Sequence, residues 1–305
     1  MLRWLPFFLL LLFPATASAG LKVAVSIRPI HSLVCSLMQG VGVPDLVIAA
    51  AGSPHSYNLR PSEVRLLHQS DLVVWVGPEL EAVLSKPIAS RTMKGGVLTL
   101  LAELPKELIL PARQGGAWST VGHHRLEEHA HGEVDPHLWL SPANAATAAK
   151  IIADRLVALD VANRVLYQRN LAVLLARLED LARRTTARLA GLRQQQYLVF
   201  HDAYQYFERD FGLQPAGALA IDPDRPPGAR RLTDIKASIH NRSISCIFTE
   251  PQFEPRMVNV LAEGTQMRIG TLDPVGAELT PGPELYFALI TDMATALETC
   301  LSGKE

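Results

Sequence analysis

Short apolar runs alternate with helical patterns along the first third of the chain. Four of these runs have strand length and lie at residues 22–27, 45–49, 72–76 and 97–100. The segments between them favour helices that begin near His31, at Pro61 and near Glu79. Pro61 suits a first helical turn because the N–H that proline lacks would have no helical partner there. Strands that alternate with helices in this way predict a parallel sheet.

A longer helical pattern occupies the middle of the chain. Ser141 and Pro142 predict the cap and first turn of a helix that runs to about residue 159. No proline interrupts residues 162–192, where leucines repeat at helical spacing. A helix of about 30 residues would be about 45 Å long, which is the length of a whole domain. We therefore expect a rigid spine between two lobes; two ordinary helices with a break between them are the alternative.

The alternation of strands and helices resumes after Gly191. Strands are expected at residues 197–201, 244–249 and 268–272, and helices after Asp202, after Ala229, after Pro255 and over residues 283–300. The predicted fold class is α/β, with two lobes built on parallel-type sheets and joined by one long rigid helix. The expected organisation is an N-terminal lobe at residues 20–160, a linker helix at residues 161–191 and a C-terminal lobe at residues 192–305.

The first residues have the pattern of a secretory signal peptide. Arg3 precedes an apolar run over residues 4–13, and Ala17-Ser-Ala19 is a small-residue cleavage motif, so we expect residues 1–19 to be removed. A membrane anchor is the competing interpretation, but the run is shorter than the roughly 20 apolar residues that cross a bilayer. The residue directly after the cleavage motif is Gly20 and not cysteine, so we expect no lipid anchor. An exported, periplasmic protein is predicted.

The net charge and the cysteines further restrict the class of protein and the partners to be expected. Without the signal peptide the chain has 28 basic and 30 acidic residues, a net charge of −2, which argues against nucleic acid as a partner. An exported chain with three cysteines can form one disulfide. Cys246 lies in an apolar strand-like run and Cys300 ends the last helix, so we expect these two to pair, while Cys35 resembles a small buried apolar residue. Three free core thiols are the alternative.

Histidines are concentrated in one stretch of the chain. Five of the ten lie between Gly122 and Trp139, at positions 123, 124, 129, 131 and 137. Imidazole is the commonest metal ligand near neutral pH, because its nitrogen lone pair is largely unprotonated there. A solvated polar loop is the alternative for His123, His124, His129 and His131, since a histidine-rich tract is only a compositional indicator.

Other candidate ligands follow predicted strands, where open α/β sheets bind their ligands. His55 lies in the loop after the second strand, His201 ends a strand, and His137 is held in Asp135-Pro-His-Leu-Trp139. Asp273 follows a further strand, before Pro274. Three imidazoles and one carboxylate form a nitrogen-rich set that suits Zn²⁺. Taken singly, each histidine could equally be a hydrogen-bonded structural residue, and Asp273 could equally begin an ordinary turn.

Two acidic residues are candidates for holding these imidazoles in place. Asp202 follows His201 directly, and Glu250 follows the strand that carries Cys246. Bound histidines usually donate their second ring N–H to a carboxylate, a carbonyl or water, which fixes the ring orientation. We therefore expect Asp202 and Glu250 to orient the ligand histidines.

Six ordered blocks make the chain resemble the metal-specific solute-binding proteins of bacterial ABC importers, in particular the zinc-specific members. The blocks are Ser53-Pro-His-Ser-Tyr-Asn-Leu-Arg-Pro-Ser62, Asp71-Leu-Val-Val-Trp-Val-Gly-Pro-Glu79, His137-Leu-Trp-Leu-Ser-Pro142, Phe200-His-Asp-Ala-Tyr204, Glu250-Pro-Gln-Phe253 and Gly270-Thr-Leu-Asp-Pro274. The resemblance covers essentially the whole mature chain. It implies two α/β lobes joined by one long helix, with zinc in the cleft between them.

The resemblance also implies a ligand set. The three histidine ligands of the family match His55, His137 and His201. Some zinc-binding members place a glutamate where this chain has Pro54, and others use the aspartate that matches Asp273, or water. We expect Asp273, with water as the alternative. Manganese-binding members have a carboxylate at the position of His201, and they lack a histidine-rich insertion such as residues 115–133, so both differences favour zinc over manganese.

The predicted function is capture of Zn²⁺ without chemistry. The protein would bind the ion in the periplasm as a monomer and deliver it to an inner-membrane permease driven by a cytoplasmic ATPase. One rival is a periplasmic zinc buffer or chaperone built around the histidine-rich loop. Another is an exported zinc hydrolase, although the chain has no His-Glu-x-x-His pair and no Gly-x-Ser-x-Gly elbow.

Overall fold

The computed structural model describes residues 20–49, 52–90, 96–113, 133–220, 228, 232–233, 235–237, 239 and 244–303. Its first half contains a four-stranded parallel sheet. The strands are β1 (Val23–Val25), β2 (Asp45–Leu46), β3 (Leu72–Trp75) and β4 (Val97–Thr99), in the order β2-β1-β3-β4. The accompanying helices are α1 (Arg28–Leu37), α2 (Pro61–Gln69), α3 (Ser85–Ala89) and α4 (Leu100–Glu103). The predicted parallel sheet is therefore confirmed for this half.

The second half repeats this topology. Its strands are β5 (Tyr197–His201), β6 (Gly217–Ala220), β7 (Cys246–Thr249) and β8 (Arg268–Thr271), all parallel and in the order β6-β5-β7-β8. In each sheet the chain first extends away from one side of the opening strand and then returns to its other side. A crevice opens where the strand order reverses, here between β1 and β3 and between β5 and β7, beyond their carboxyl ends.

Two long helices lie between the sheets in sequence. Helix α5 spans Pro142–Leu159, and the hydroxyl of Ser141 caps it by accepting a hydrogen bond from the Asn144 N–H at 3.1 Å. Helix α6 spans Arg164–Leu189, 26 residues or about 39 Å, with short 3-10 turns at both ends. Its buried positions include Leu174, Leu178 and Leu181, which agrees with the spacing of leucines in the sequence.

Three further helices whose bounds the structure describes belong to the second half. They are α7 (Gln205–Phe211), α8 (Arg256–Ala262) and α9 (Leu285–Ser302). Helix α9 packs against both α1 and α6, and the Tyr286 N–H at its start donates to the Ser32 hydroxyl on α1 at 3.0 Å. The last helix therefore joins the two halves, and one continuous apolar core runs through both.

Two elements differ from the sequence-based expectation. Strand β6 was not predicted, because glycine and alanine dominate Gly217–Ala220 and both are depleted in strands. It forms nonetheless because it is fully buried against β5. The helix expected near Glu79 begins later, with a 3-10 turn at Ala82–Leu84 followed by α3.

The cysteines are arranged as expected. Cys246 and Cys300 form a disulfide that joins β7 to the last turn of α9. Cys35 is free and buried on α1, and burial raises the pKa of its thiol to about 11. Cys35 therefore stays a neutral thiol at physiological pH. Residues 1–19, which carry the predicted signal peptide, lie outside the described part of the chain. Of the helices that are described, none has both the length and the apolar character needed to cross a bilayer.

Candidate metal centre

Three histidines from distant parts of the sequence meet at one point. The Nε2 atom of His137 lies 3.2 Å from Nε2 of His55 and 3.4 Å from Nε2 of His201. One ring nitrogen from each residue lies within 4.8 Å of the other two. His137 and His201 are buried, and His55 is half-buried. Three imidazole nitrogens that converge in this way form a set of ligands suited to a single metal ion.

The sheets explain why these residues meet. His201 is the last residue of β5, at the carboxyl edge where the second sheet reverses its strand order. His55 lies in the loop that follows β2, in the first sheet. His137 directly precedes the 3-10 turn Leu138–Leu140, whose three residues are all buried. The loop sequence around each histidine is therefore anchored in regular or buried structure.

Asp135 fixes the ring of His137. Its Oδ1 atom accepts hydrogen bonds from the backbone N–H of His137 at 3.0 Å and from Nδ1 of the same residue at 2.8 Å. With Nδ1 as the donor, Nε2 keeps its lone pair for a metal. The contact of Asp135 with His137 was not predicted from the sequence. The signal was an aspartate two residues before the histidine, a spacing at which aspartate often bonds the following backbone.

Glu250 performs the same task for His201. Its Oε1 and Oε2 atoms lie 2.6 and 2.8 Å from Nδ1 of His201, and the Tyr204 hydroxyl donates to Oε1 at 3.0 Å. Burial lowers the pKa of His201, but the charge of Glu250 and its hydrogen bond outweigh burial and raise the pKa. The expected contact between Glu250 and a ligand histidine is thus present in the structure.

Asp202 has a different partner from the one expected. Its Oδ1 atom forms an ion pair with Nη1 of Arg113 at 2.8 Å, and Arg113 also binds Glu208 at 2.6 Å through Nη2. The structure thus gives Asp202 a guanidinium as a partner, and its orientation of an imidazole stays a prediction. A buried carboxylate needs a charged partner, and the guanidinium of Arg113 is within its reach.

Asp273 is not brought into the histidine group. Its Oδ1 accepts from the Gln252 side chain at 2.8 Å and from the Val275 and Gly276 N–H groups at 3.1 and 2.9 Å. Its Oδ2 accepts from the Ala277 N–H at 2.5 Å. Both oxygens are thus engaged in closing the turn after β8, the ordinary role of an aspartate before a turn.

The space beside the three histidines is small and largely apolar. It is a cavity of about 10 Å³, which is roughly the volume that admits one water-sized species. Its walls include Pro54, Trp139, Phe253, Pro274 and Val275. A cavity of this size can accommodate a single ion.

The base of the histidine-rich insertion adjoins this centre. His123, His124, His129 and His131 lie outside the described residues. The chain on either side of them is paired, because the Ala112 N–H donates to the Glu133 carbonyl at 3.2 Å and the Asp135 N–H donates to the Leu110 carbonyl at 2.8 Å. We call the pairing of residues 110–112 with residues 133–135 the stem ladder. It ends at Asp135, the residue that holds His137.

The sequence model of the ZnuA family, described as the periplasmic component A of the zinc-uptake complex, matches residues 23–300. The chain belongs to the ZnuA family. A ZnuA relative, the high-affinity zinc uptake system protein of Brucella suis biovar 1 (strain 1330), is 37% identical over 306 residues. The match covers 92% of this chain and 91% of that protein.

Solved structures agree with the ZnuA fold. A crystal structure of ZnuA has a TM-score of 0.77 at 22% identity and covers 92% of this chain and 99% of its own. The structure of FpvC from Pseudomonas aeruginosa in complex with Mn²⁺ has a TM-score of 0.78 at 22% identity, with coverages of 93% and 99%. Both likenesses concern the fold of this ZnuA family member.

Proposed function

We propose that the protein captures Zn²⁺ in the periplasm and delivers it to an ABC-type permease in the inner membrane, which a cytoplasmic ATPase drives. The observation that carries this proposal is the convergence of His55, His137 and His201 on a cavity of the size of one ion. An all-nitrogen set favours zinc over manganese, which prefers harder oxygen ligands. The zinc-uptake role of the ZnuA relatives supports the same cargo.

The fourth coordination position is part of the proposal. Zinc is usually four-coordinate, and sites with three protein ligands complete the tetrahedron with water or another small ligand. Asp273 accepts three hydrogen bonds within its own turn and a fourth from the Gln252 side chain, so a water molecule is the better candidate. An exchangeable ligand at this position would favour release of the ion as well as its capture.

Further parts of the proposal concern processing and partners. We propose that residues 1–19 direct export and are removed, and that the mature protein acts as a monomer whose partner is the permease and not nucleic acid. His123, His124, His129 and His131 would bind zinc weakly in an accessory role. The stem ladder pairs the described residues on either side of that segment.

The experiment that tests the function separates transport capture from zinc buffering. Residues 115–131 are replaced by a short Gly-Ser linker, which leaves the stem ladder intact, and metal-free protein is titrated with Zn²⁺ and Mn²⁺ against a competing chelator. We expect one tight zinc site in both the full-length and the shortened protein, with Mn²⁺ bound more weakly. Loss of the tight site together with the loop would favour the buffer, and preference for Mn²⁺ would contradict zinc capture.

The pH profile of zinc affinity should depend on Glu250. Because Glu250 raises the pKa of His201, a proton competes with zinc at a higher pH than for an ordinary histidine. Affinity should be greatest above that pKa and fall as the pH drops through it. Glu250→Gln removes the charge, so we expect the fall to move to lower pH. At high pH the same variant should bind zinc about 10- to 100-fold more weakly, because the imidazole loses its basic partner.

The exposed Glu254 provides a matched control for this change. Glu254→Gln removes the same charge from the same lobe without touching His201, so its affinity and pH profile should follow those of the wild type. The measurement is chelator competition at a series of pH values. Superimposable profiles for Glu250→Gln and the wild type would refute the role of Glu250.

A further inference from the structure

The hydroxyl of Tyr206 lies within the stem ladder. It accepts a hydrogen bond from the Leu110 N–H at 2.9 Å and donates one to the Asp135 carbonyl at 2.9 Å, so it contacts both chains of the ladder. The Tyr206 side chain is fully buried. Its ring therefore has a single fixed position, and the hydroxyl links the two chains at the point where the ladder ends.

This hydroxyl is two contacts away from a metal ligand. Tyr206 holds the backbone of Asp135, and the carboxylate of Asp135 holds both the backbone N–H and the Nδ1 atom of His137. The orientation of the His137 ring thus depends on where the Asp135 backbone lies. A shift of that backbone would rotate the imidazole away from the point where the three Nε2 atoms converge.

The same short segment also serves His201. Tyr204, two residues before Tyr206, donates to the Glu250 carboxylate that binds His201. Residues 201–206 therefore contain the ligand His201 and two tyrosines. Tyr204 contacts the carboxylate that binds His201, and Tyr206 contacts the backbone of the residue that binds His137. Residues from distant parts of the sequence therefore contact this one short segment.

Other contacts attach the stem ladder to the same segment. Arg113, at the end of one chain of the ladder, forms ion pairs with Asp202 and with Glu208 on α7. Gln205 donates to the Pro111 carbonyl at 3.0 Å. Beyond the ladder, the Trp139 indole N–H donates to the Pro274 carbonyl at 2.7 Å. The loop with His137 is consequently fastened to the second half of the molecule on both sides of the histidine.

We infer that Tyr206 is a positioning residue that fixes His137 relative to His201, so that these two ligands form a preset pair across the two halves of the chain. The inference rests on the proposed zinc-binding function. The Tyr206 hydroxyl is part of the chain itself, so it keeps His137 and His201 at one separation whether or not zinc is bound.

The test uses Tyr206→Phe, which keeps the ring and removes only the hydroxyl. Tyr167→Phe is the matched control, because Tyr167 is also fully buried and donates to Asp160 at 3.0 Å at the junction of α5 and α6, outside the metal centre. Zinc affinity is measured by chelator competition, ligand geometry by the visible absorption of bound Co²⁺, and stability by thermal unfolding of the metal-free proteins.

We expect Tyr206→Phe to bind zinc about tenfold more weakly, at the lower end of the effect of outer-shell partners, and to change the Co²⁺ spectrum. Tyr167→Phe should lose stability without changing either metal readout. Zinc affinity within twofold of the wild type and an unchanged spectrum for Tyr206→Phe would overturn the inference. A wild-type protein without a tight zinc site would instead overturn the proposed function, and the inference with it.

A second variant keeps the inference testable if Tyr206→Phe does not fold. Arg113→Lys retains the positive charge, but a single ammonium lacks the planar fork that binds Asp202 and Glu208 together. The ladder should then be less firmly attached to α7. We expect zinc affinity to fall by about threefold, a smaller effect than that of a direct outer-shell partner, and an affinity equal to that of the wild type would count against the inference.

Discussion

His137→Ala is expected to weaken zinc binding by more than about 100-fold, since outer-shell partners alone account for 10- to 100-fold. In the proposed site His137 is the central ligand, because its Nε2 atom lies within 3.2 and 3.4 Å of those of His55 and His201. Removal of its ring leaves two imidazoles and an enlarged cavity that water would enter. A loss of 100-fold corresponds to about 2.7 kcal/mol of binding free energy. Competition titration of the metal-free protein with Zn²⁺ measures the change directly.

His68 on α2 is the matched control for this substitution. It is exposed and lies outside the histidine group, so His68→Ala should bind zinc like the wild type. Circular dichroism of both variants verifies that the fold is retained. If His137→Ala kept its tight site, the centre formed by the three histidines would not be the zinc site, and the proposed function would lose its main support.

Removal of the disulfide should have the largest effect on stability. Cys246 and Cys300 are 54 residues apart in sequence, and closing a loop of this size stabilises the folded state by about 4 kcal/mol in the chain-entropy model. We expect the Cys246→Ala/Cys300→Ala variant to unfold at a markedly lower denaturant concentration. Zinc affinity under native conditions should change little, because Glu250 at the end of β7 is held independently by His201 and Tyr204.

Cys35 allows a control for the loss of thiols. Cys35→Ala removes a buried sulfur that takes part in no disulfide, so it should cost far less stability than removal of the pair. A reducing agent should destabilise the wild type and the Cys35→Ala variant alike, but leave the double variant unchanged. Equal denaturant midpoints for the double variant and the wild type would show that the bond contributes nothing to the native state.

Much of the fold could be predicted because local sequence carries the signal. Alternating apolar runs and helical patterns are local features, and they located the long helix α6 and seven of the eight strands in the described part of the chain. Strand β6 could not be predicted in this way. Its small residues have no strand preference of their own, and only burial beside β5 makes them a strand.

The candidate metal ligands and their carboxylate partners differ in how far the sequence reveals them. His55, His137 and His201 were identifiable because each follows a strand or a rigid turn motif, and the structure brings them together. Partners of side chains depend on the packing of distant segments. Asp135 lies two residues before His137, which is a local signal for its contact, but nothing near Asp202 in the sequence indicates that it binds Arg113.

The sequence by itself was sufficient to predict the α/β class, the pairing of Cys246 with Cys300 and the three histidines as candidate metal ligands. Strand and helix periodicity and residue chemistry are local properties, so the sequence shows them directly. Only the tertiary structure decided that Asp273 closes its own turn, that Asp135 and Glu250 contact His137 and His201, and that Tyr206 joins the stem ladder to α7. A hydrogen bond requires two atoms about 3 Å apart in a suitable direction. That condition depends on the arrangement of segments far apart in the chain.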